Sequence, residues 1–136
     1  MSVFLAIDPH DWIASNDLAF AVRDRFPVSH GHALVVPHRA VSGWWDATTD
    51  EQHAIFDLVD VVKRRIDAEH SPAGYNVGFN QGVAAGQTVD HLHVHVIPRY
   101  THDVADPRGG IRHVIPGRWN YLDTAPAPSA APPLLV

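Results

Sequence analysis

The sequence predicts an α+β fold, a mainly antiparallel sheet with one long helix and short additional elements. Three observations carry this expectation. From Val89 to Ile97 the chain alternates, with Val89, His91, His93 and His95 on one parity and Leu92, Val94 and Val96 between them, the period of a strand with two unlike faces. Ile55, Leu58, Val59, Val62 and Ile66 recur at helical spacing and form one apolar stripe. Short strand-like runs lie on both sides of that helix. Between Asn80 and Gln87 the connection is short, which favours an antiparallel neighbour over a crossover.

Taken in order, the chain opens with a short element, a turn at Asp8-Pro9 and a short strand near Trp12–Ala14. Ser15-Asn16-Asp17 is a turn signal, and Leu18–Asp24 reads as an apolar strand that stops where charges begin. Pro27 and Gly31 make residues 25–31 a loop, and His32–Pro37 is the next strand, antiparallel to its predecessor. Trp44 and Trp45 lie in a loop and are read as packing or dimer contacts. Thr48 stands three residues before Glu51, a capping-box pattern, and Ser71-Pro72-Ala73-Gly74 is a stop. The helix is therefore expected over about residues 49–70. Tyr75–Asn80 is a strand, and Pro98, which has no N–H, is expected to end the strand of histidines. Ile111–Ile115 reads as a short strand. One domain over 1–121 and a Pro/Ala-rich, disordered tail over 122–136 complete the expectation.

Composition narrows the function classes. The 136 residues carry a formal net charge of −5, so no basic surface argues for nucleic acid or an anionic membrane. Cysteine is absent, which excludes a disulfide framework and thiolate zinc ligation. The first residues lack a basic region and a long apolar run, and no stretch is long enough to span a bilayer. A soluble, cytoplasmic protein is expected.

Three imidazoles on one face of a strand do not stabilise it, because polar rings need partners. Histidine at neutral pH can attack phosphorus, exchange protons or bind a metal. A nucleophilic ring needs its second nitrogen held in one tautomer, donors for the phosphoryl oxygens and a proton source for the leaving group. His93, the middle ring, is placed to attack, with His91 and His95 assisting. Gly86 admits close backbone approach, and Gln87, Thr88 and Asn80 supply polar groups nearby. Zinc is the rival ligand, but rings about 6–7 Å apart at the backbone must splay inward to share one ion. The isolated His10, His53, His70, His102 and His113 are read as solvated or core residues.

The stretch Gly86-Gln87-Thr88-Val89-Asp90-His91-Leu92-His93-Val94-His95-Val96-Ile97-Pro98-Arg99 closely resembles the signature of histidine-triad (HIT) nucleotide hydrolases and transferases, including the diadenosine polyphosphate hydrolases. Phe20–Arg39 resembles that family's nucleoside-binding half, and the likeness runs from about Trp12 to Arg99. It implies a HIT-like fold and a covalent nucleotidyl intermediate on His93. It also implies His95 at the phosphate and leaving group, His91 in support and His32 as a fourth histidine buttressing the row. Asp24 matches a position that binds ribose hydroxyls, and Asn80, Gly86, Gln87 and Thr88 match phosphate contacts. The expected activity is phosphoanhydride hydrolysis at the α-phosphate of a purine nucleotide conjugate, by a homodimer. No cofactor is required, although Mg²⁺ can accompany a polyphosphate. Nucleotidyl transfer, phosphoramidate cleavage, or nucleotide binding with little turnover are the alternatives.

Overall fold

The computed structural model describes residues 2–122, so the expected tail lies outside the described residues from Asp123 onward. These residues fall into two compact units, the first ending at Asp103 and the second beginning at Val104. The first holds strands β1 (Ala14–Ser15), β2 (Ala19–Arg23), β3 (Ala33–Pro37), β4 (Gly74–Gly78) and β5 (Val94–Arg99), and the helix α1 (Thr49–His70). The sheet is antiparallel throughout, in the order β1-β2-β3-β5-β4.

The helix begins and ends where its sequence directs. Thr48 Oγ1 accepts the Glu51 N–H at 3.1 Å, and Glu51 Oε1 accepts the Thr48 N–H at 2.9 Å. Glu51 is buried, and Arg39 Nη2 meets the same Oε1 at 2.6 Å. That bond is the main cause holding the carboxyl below its usual range, against the opposing effect of burial. Ser71 ends the helix in the left-handed region, with φ of 50°.

Leu92, Val94 and Val96 pack with Ala19, Ala21, Ala33 and Val35 against Ile55, Leu58, Val59, Val62 and Ile66. A second cluster, Phe4, Phe20, Val22, Leu34 and Val36, covers the opposite face of the sheet. That face is the one the histidines share. Trp44 stacks on Phe79 with 5.4 Å between ring centroids, the packing role expected of it.

Four local expectations are corrected. The strand of histidines begins at Val94 rather than Val89, because β3 pairs with it only from Val94 to Val96. Pro98 does not end it. Its carbonyl accepts from Ser29 Oγ at 2.7 Å, so its N-side faces away from β4, where no ladder bond is lost. The short strand placed near Trp12–Ala14 is shifted along the chain to β1, Ala14–Ser15, after a 3₁₀ turn over Pro9–Asp11. Ile111–Ile115, in the second unit, lies mostly in a 3₁₀ helix, Gly110–Val114. The paired positive φ angles of Gly109 (93°) and Gly110 (48°) coil that chain tightly rather than extending it.

Leu92 is 2 % exposed and sits in the core under α1. Leu92→Ala is expected to cost about 2–5 kcal/mol, read from urea unfolding. A loss below about 0.5 kcal/mol would mean that Leu92 does not face that core.

Candidate active site

Alternation along residues 91–96 sends Leu92, Val94 and Val96 into the helix-side core and leaves His93 and His95 half-buried on the other face. His91 shares that face but is fully buried and stands just before the strand. Its Nε2 lies 2.8 Å from the Pro37 carbonyl and its Nδ1 lies 2.7 Å from Ser2 Oγ. A carbonyl can only accept, so Nε2 carries the proton and Nδ1 takes the Ser2 hydroxyl proton. Burial pushes the His91 pKa down, with the Pro37 carbonyl opposing and the charge of His93 adding to the fall.

The carbonyl of His91 in turn holds His93. Its oxygen is 2.8 Å from His93 Nδ1, which therefore donates, leaving the lone pair on Nε2. The Phe4 ring lies over His93 with centroids 5.1 Å apart and over His91 at 5.7 Å.

A second chain of protons reaches His95. The Val28 N–H points at His32 Nδ1 at 3.1 Å, which fixes the His32 proton on Nε2. That Nε2 lies 2.9 Å from His95 Nδ1 and 3.4 Å from Asp24 Oδ2. His95 accepts at Nδ1, so its own proton stands on Nε2. Burial foremost, then the charges of His93 and His32, push the His95 pKa down to about 4, with Asp24 opposing. His32 is also lowered by burial, against the raising effect of Asp24. These bonds leave a nitrogen lone pair on the neutral His93 ring beside an N–H donor on His95.

Asp24, His32 and His95 bring three possible ligand atoms within 4.8 Å of one another. The Val28 N–H argues against their use for a metal. A cation on His32 Nε2 would drive the ring proton to Nδ1, against that N–H.

A cavity of about 550 Å³ opens over this face. Asn80, Gly86, Thr88, His93 and His95 line it, together with the apolar Val3, Phe4, Ile7, Val22 and Leu34. Gly86 has φ of 91°, a backbone that a side chain would strain, and so bare backbone faces the cavity. Asp24 lines the cavity as well, while its Oδ1 accepts the Phe26 N–H at 2.8 Å. Gln87 is placed differently. Its amide bonds the Gly82 N–H and the Ser42 and Val89 carbonyls, so its side chain braces the loop instead of lining the cavity. Ser2, Phe4 and the His91 carbonyl were not singled out from sequence. Ser2 is a recognisable helix cap, but nothing in its neighbourhood signals that it lands on His91.

A family model described as the HIT domain matches residues 7–102. The bis(5'-nucleosyl)-tetraphosphatase (asymmetrical) of Schizosaccharomyces pombe is 42 % identical over 80 residues, covering 59 % of this chain and 44 % of that one. The AP-4-A phosphorylase of Mycobacterium tuberculosis is 39 % identical over 92 residues, covering 67 % and 47 %. The chain thus spans about half the length of these curated relatives. The crystal structure of a HIT family protein from Bacillus anthracis superposes with a TM-score of 0.70 at 32 % identity, covering 75 % of each chain.

The neutral histidines make stability depend on pH. His95 keeps a folded pKa of about 4 against an ordinary 6.5, so the unfolded chain takes up protons first. Stability is therefore highest above about pH 6.5 and falls as the pH drops towards 4, by about 1–2 kcal/mol for His95 with solvent screening of the half-buried ring taken into account. His91 and His32 add to the fall in the same direction. His95→Gln should flatten the dependence, measured as unfolding free energy between pH 7.5 and 4.5.

Proposed function

The chain belongs to the HIT family, and from that premise we propose that it is a cytoplasmic nucleotide hydrolase. Its substrates are purine nucleotide conjugates of the dinucleoside polyphosphate class, cleaved at the α-phosphate. The observation that carries this reading is the pair of tautomers, a free His93 Nε2 lone pair beside a His95 Nε2–H. In the attack the Nε2 lone pair forms a bond to the α-phosphorus and the P–O bond to the leaving group breaks, its electron pair going to oxygen. Nδ1–H stays on the His91 carbonyl, which stabilises the positive charge that develops on the ring. His95 donates to a phosphoryl oxygen. Water then attacks phosphorus, the N–P pair returns to Nε2, and the water proton is lost as the nucleoside monophosphate departs.

The neutral state of His95 favours this substrate class over phosphoramidates. A phosphate leaves as an anion without being protonated, whereas an amine needs a proton that a neutral imidazole gives up at great cost. Passing the nucleotidyl group to phosphate instead of water would make the same site a phosphorylase, and one of the relatives carries that name. The covalent step calls on no metal, and Mg²⁺ would arrive with the polyphosphate. Asp24 holds the ribose hydroxyls; Asn80, Gly86 and Thr88 receive the phosphate.

The assembly proposed is a homodimer. β4 is an edge of the sheet with one side of its backbone unpaired, and Trp45 and Phe56, on the connection before α1 and on α1, are 73 % and 48 % exposed. No described helix is long and apolar enough to cross a membrane. Sedimentation equilibrium should give twice the chain mass of 15.0 kDa.

Rapid quench with a nucleotide bearing a good leaving group tests the chemistry. Protein-bound nucleotide should accumulate when release is slow, labile to acid, stable to alkali, and located by peptide mapping at His93. His93→Ala should abolish turnover, while its melting curve stays within about 1 kcal/mol of the parent, one hydrogen bond being lost. Net inversion at a chiral α-phosphorothioate would reject two successive displacements and with them the intermediate.

A further inference from the structure

The sheet register says which strands stand on either side of the cavity. Val22 pairs with Leu34 and Leu34 with His95, so a row of side chains crosses the face from β2 through β3 to β5. Asn80, Gly86 and Thr88, the groups suited to a phosphate, lie on the β4–β5 side of that row. Val22, Phe26 and Val28 belong to β2 and the segment that follows it, and they line the cavity on the β2 side.

That side also carries two arginines. Arg23 is engaged, its Nη2 lying 2.7 Å from Glu69 Oε2. Arg25 lines the cavity, is exposed, and has no side-chain ion pair or hydrogen bond among the described residues. It stands one residue past Asp24, whose Oδ1 bonds the Phe26 N–H and so shapes the turn that carries Arg25. A guanidinium without a partner among the described residues thus lines the cavity on the β2 side of the row, next to Phe26 and Val28, apolar side chains of the kind a flat ring packs on.

We propose that Arg25 is a specificity residue that selects the base, favouring 6-oxopurines over adenine. The inference rests on the nucleotide reading above and adds to it a choice of base. Its physical ground is the fork of two N–H donors. The Hoogsteen edge of guanine offers two acceptors, O6 and N7, which match that fork. Adenine offers N7 beside an N6 amino group, so one donor of the fork would face another donor.

Calorimetric titration of the intact chain with GMP, IMP, AMP and 7-deaza-GMP tests this. GMP and IMP share O6 and N7 and should bind about fivefold or more tightly than AMP. The 7-deaza analogue, lacking one acceptor, should fall to the level of AMP. Arg25→Lys keeps the charge but removes the fork, and should bring the GMP to AMP ratio below about twofold. Equal affinity of the parent chain for GMP and AMP overturns the inference alone, and so does Arg25→Ala weakening both to the same degree, the signature of an arginine that touches phosphate. Binding of none of the four overturns it together with the nucleotide reading.

Discussion

Burial of Leu92, Val94 and Val96 beneath α1 is the constraint on which the site depends. Each of these side chains is at most 2 % exposed, and in an extended chain the residues between them must then point the other way. His93 and His95 owe their common face to this, not to any attraction between imidazoles. A slip of one residue in the register of β5 would bury both rings under the helix and expose two valines and a leucine. The row of histidines and the hydrophobic core are two readings of one strand.

Packing places the rings, but hydrogen bonds decide which nitrogen carries a proton. Two chains of bonds run through the site, and each begins at a group with a fixed role. The Val28 N–H can only donate, which orders His32 and, through it, His95. The carbonyls of Pro37 and His91 can only accept, which orders His91 and His93. Four titratable rings thereby acquire one arrangement of protons. Burial keeps His32, His91 and His95 neutral near pH 7 at a cost in acid stability. Active sites accept such costs when the chemistry needs a defined donor and a defined lone pair.

The walls of the cavity come from chain segments far apart in sequence. The 3₁₀ turn Val3–Ala6 supplies Phe4, which rests on two of the triad rings, and the turn after β2 supplies the opposite rim. Gly86 and Thr88 approach from the connection between β4 and β5. An antiparallel sheet in the order β1-β2-β3-β5-β4 brings these pieces over one face because β3, in the centre, neighbours both β2 and β5.

The sequence by itself determined the elements whose signals are local. The helix was legible to the residue, since a capping box and an apolar stripe act within a few residues of one another. The facing of the histidines was legible because strand period is a local property, and the Gly-Gln-Thr approach to the triad made the family legible too. Only the tertiary structure decided the proton arrangement and the roles that follow from it. His91 with Ser2, His32 with His95 and His91 with Pro37 are 89, 63 and 54 residues apart. No periodicity links such pairs, and each bond exists only after the sheet has closed. For the same reason Gln87, adjacent to Thr88 in the motif, turned out to brace a loop, and Pro98 sat inside a strand. In each case the decisive fact was which side of the backbone faced a partner, and that is fixed by neighbours the local sequence does not contain.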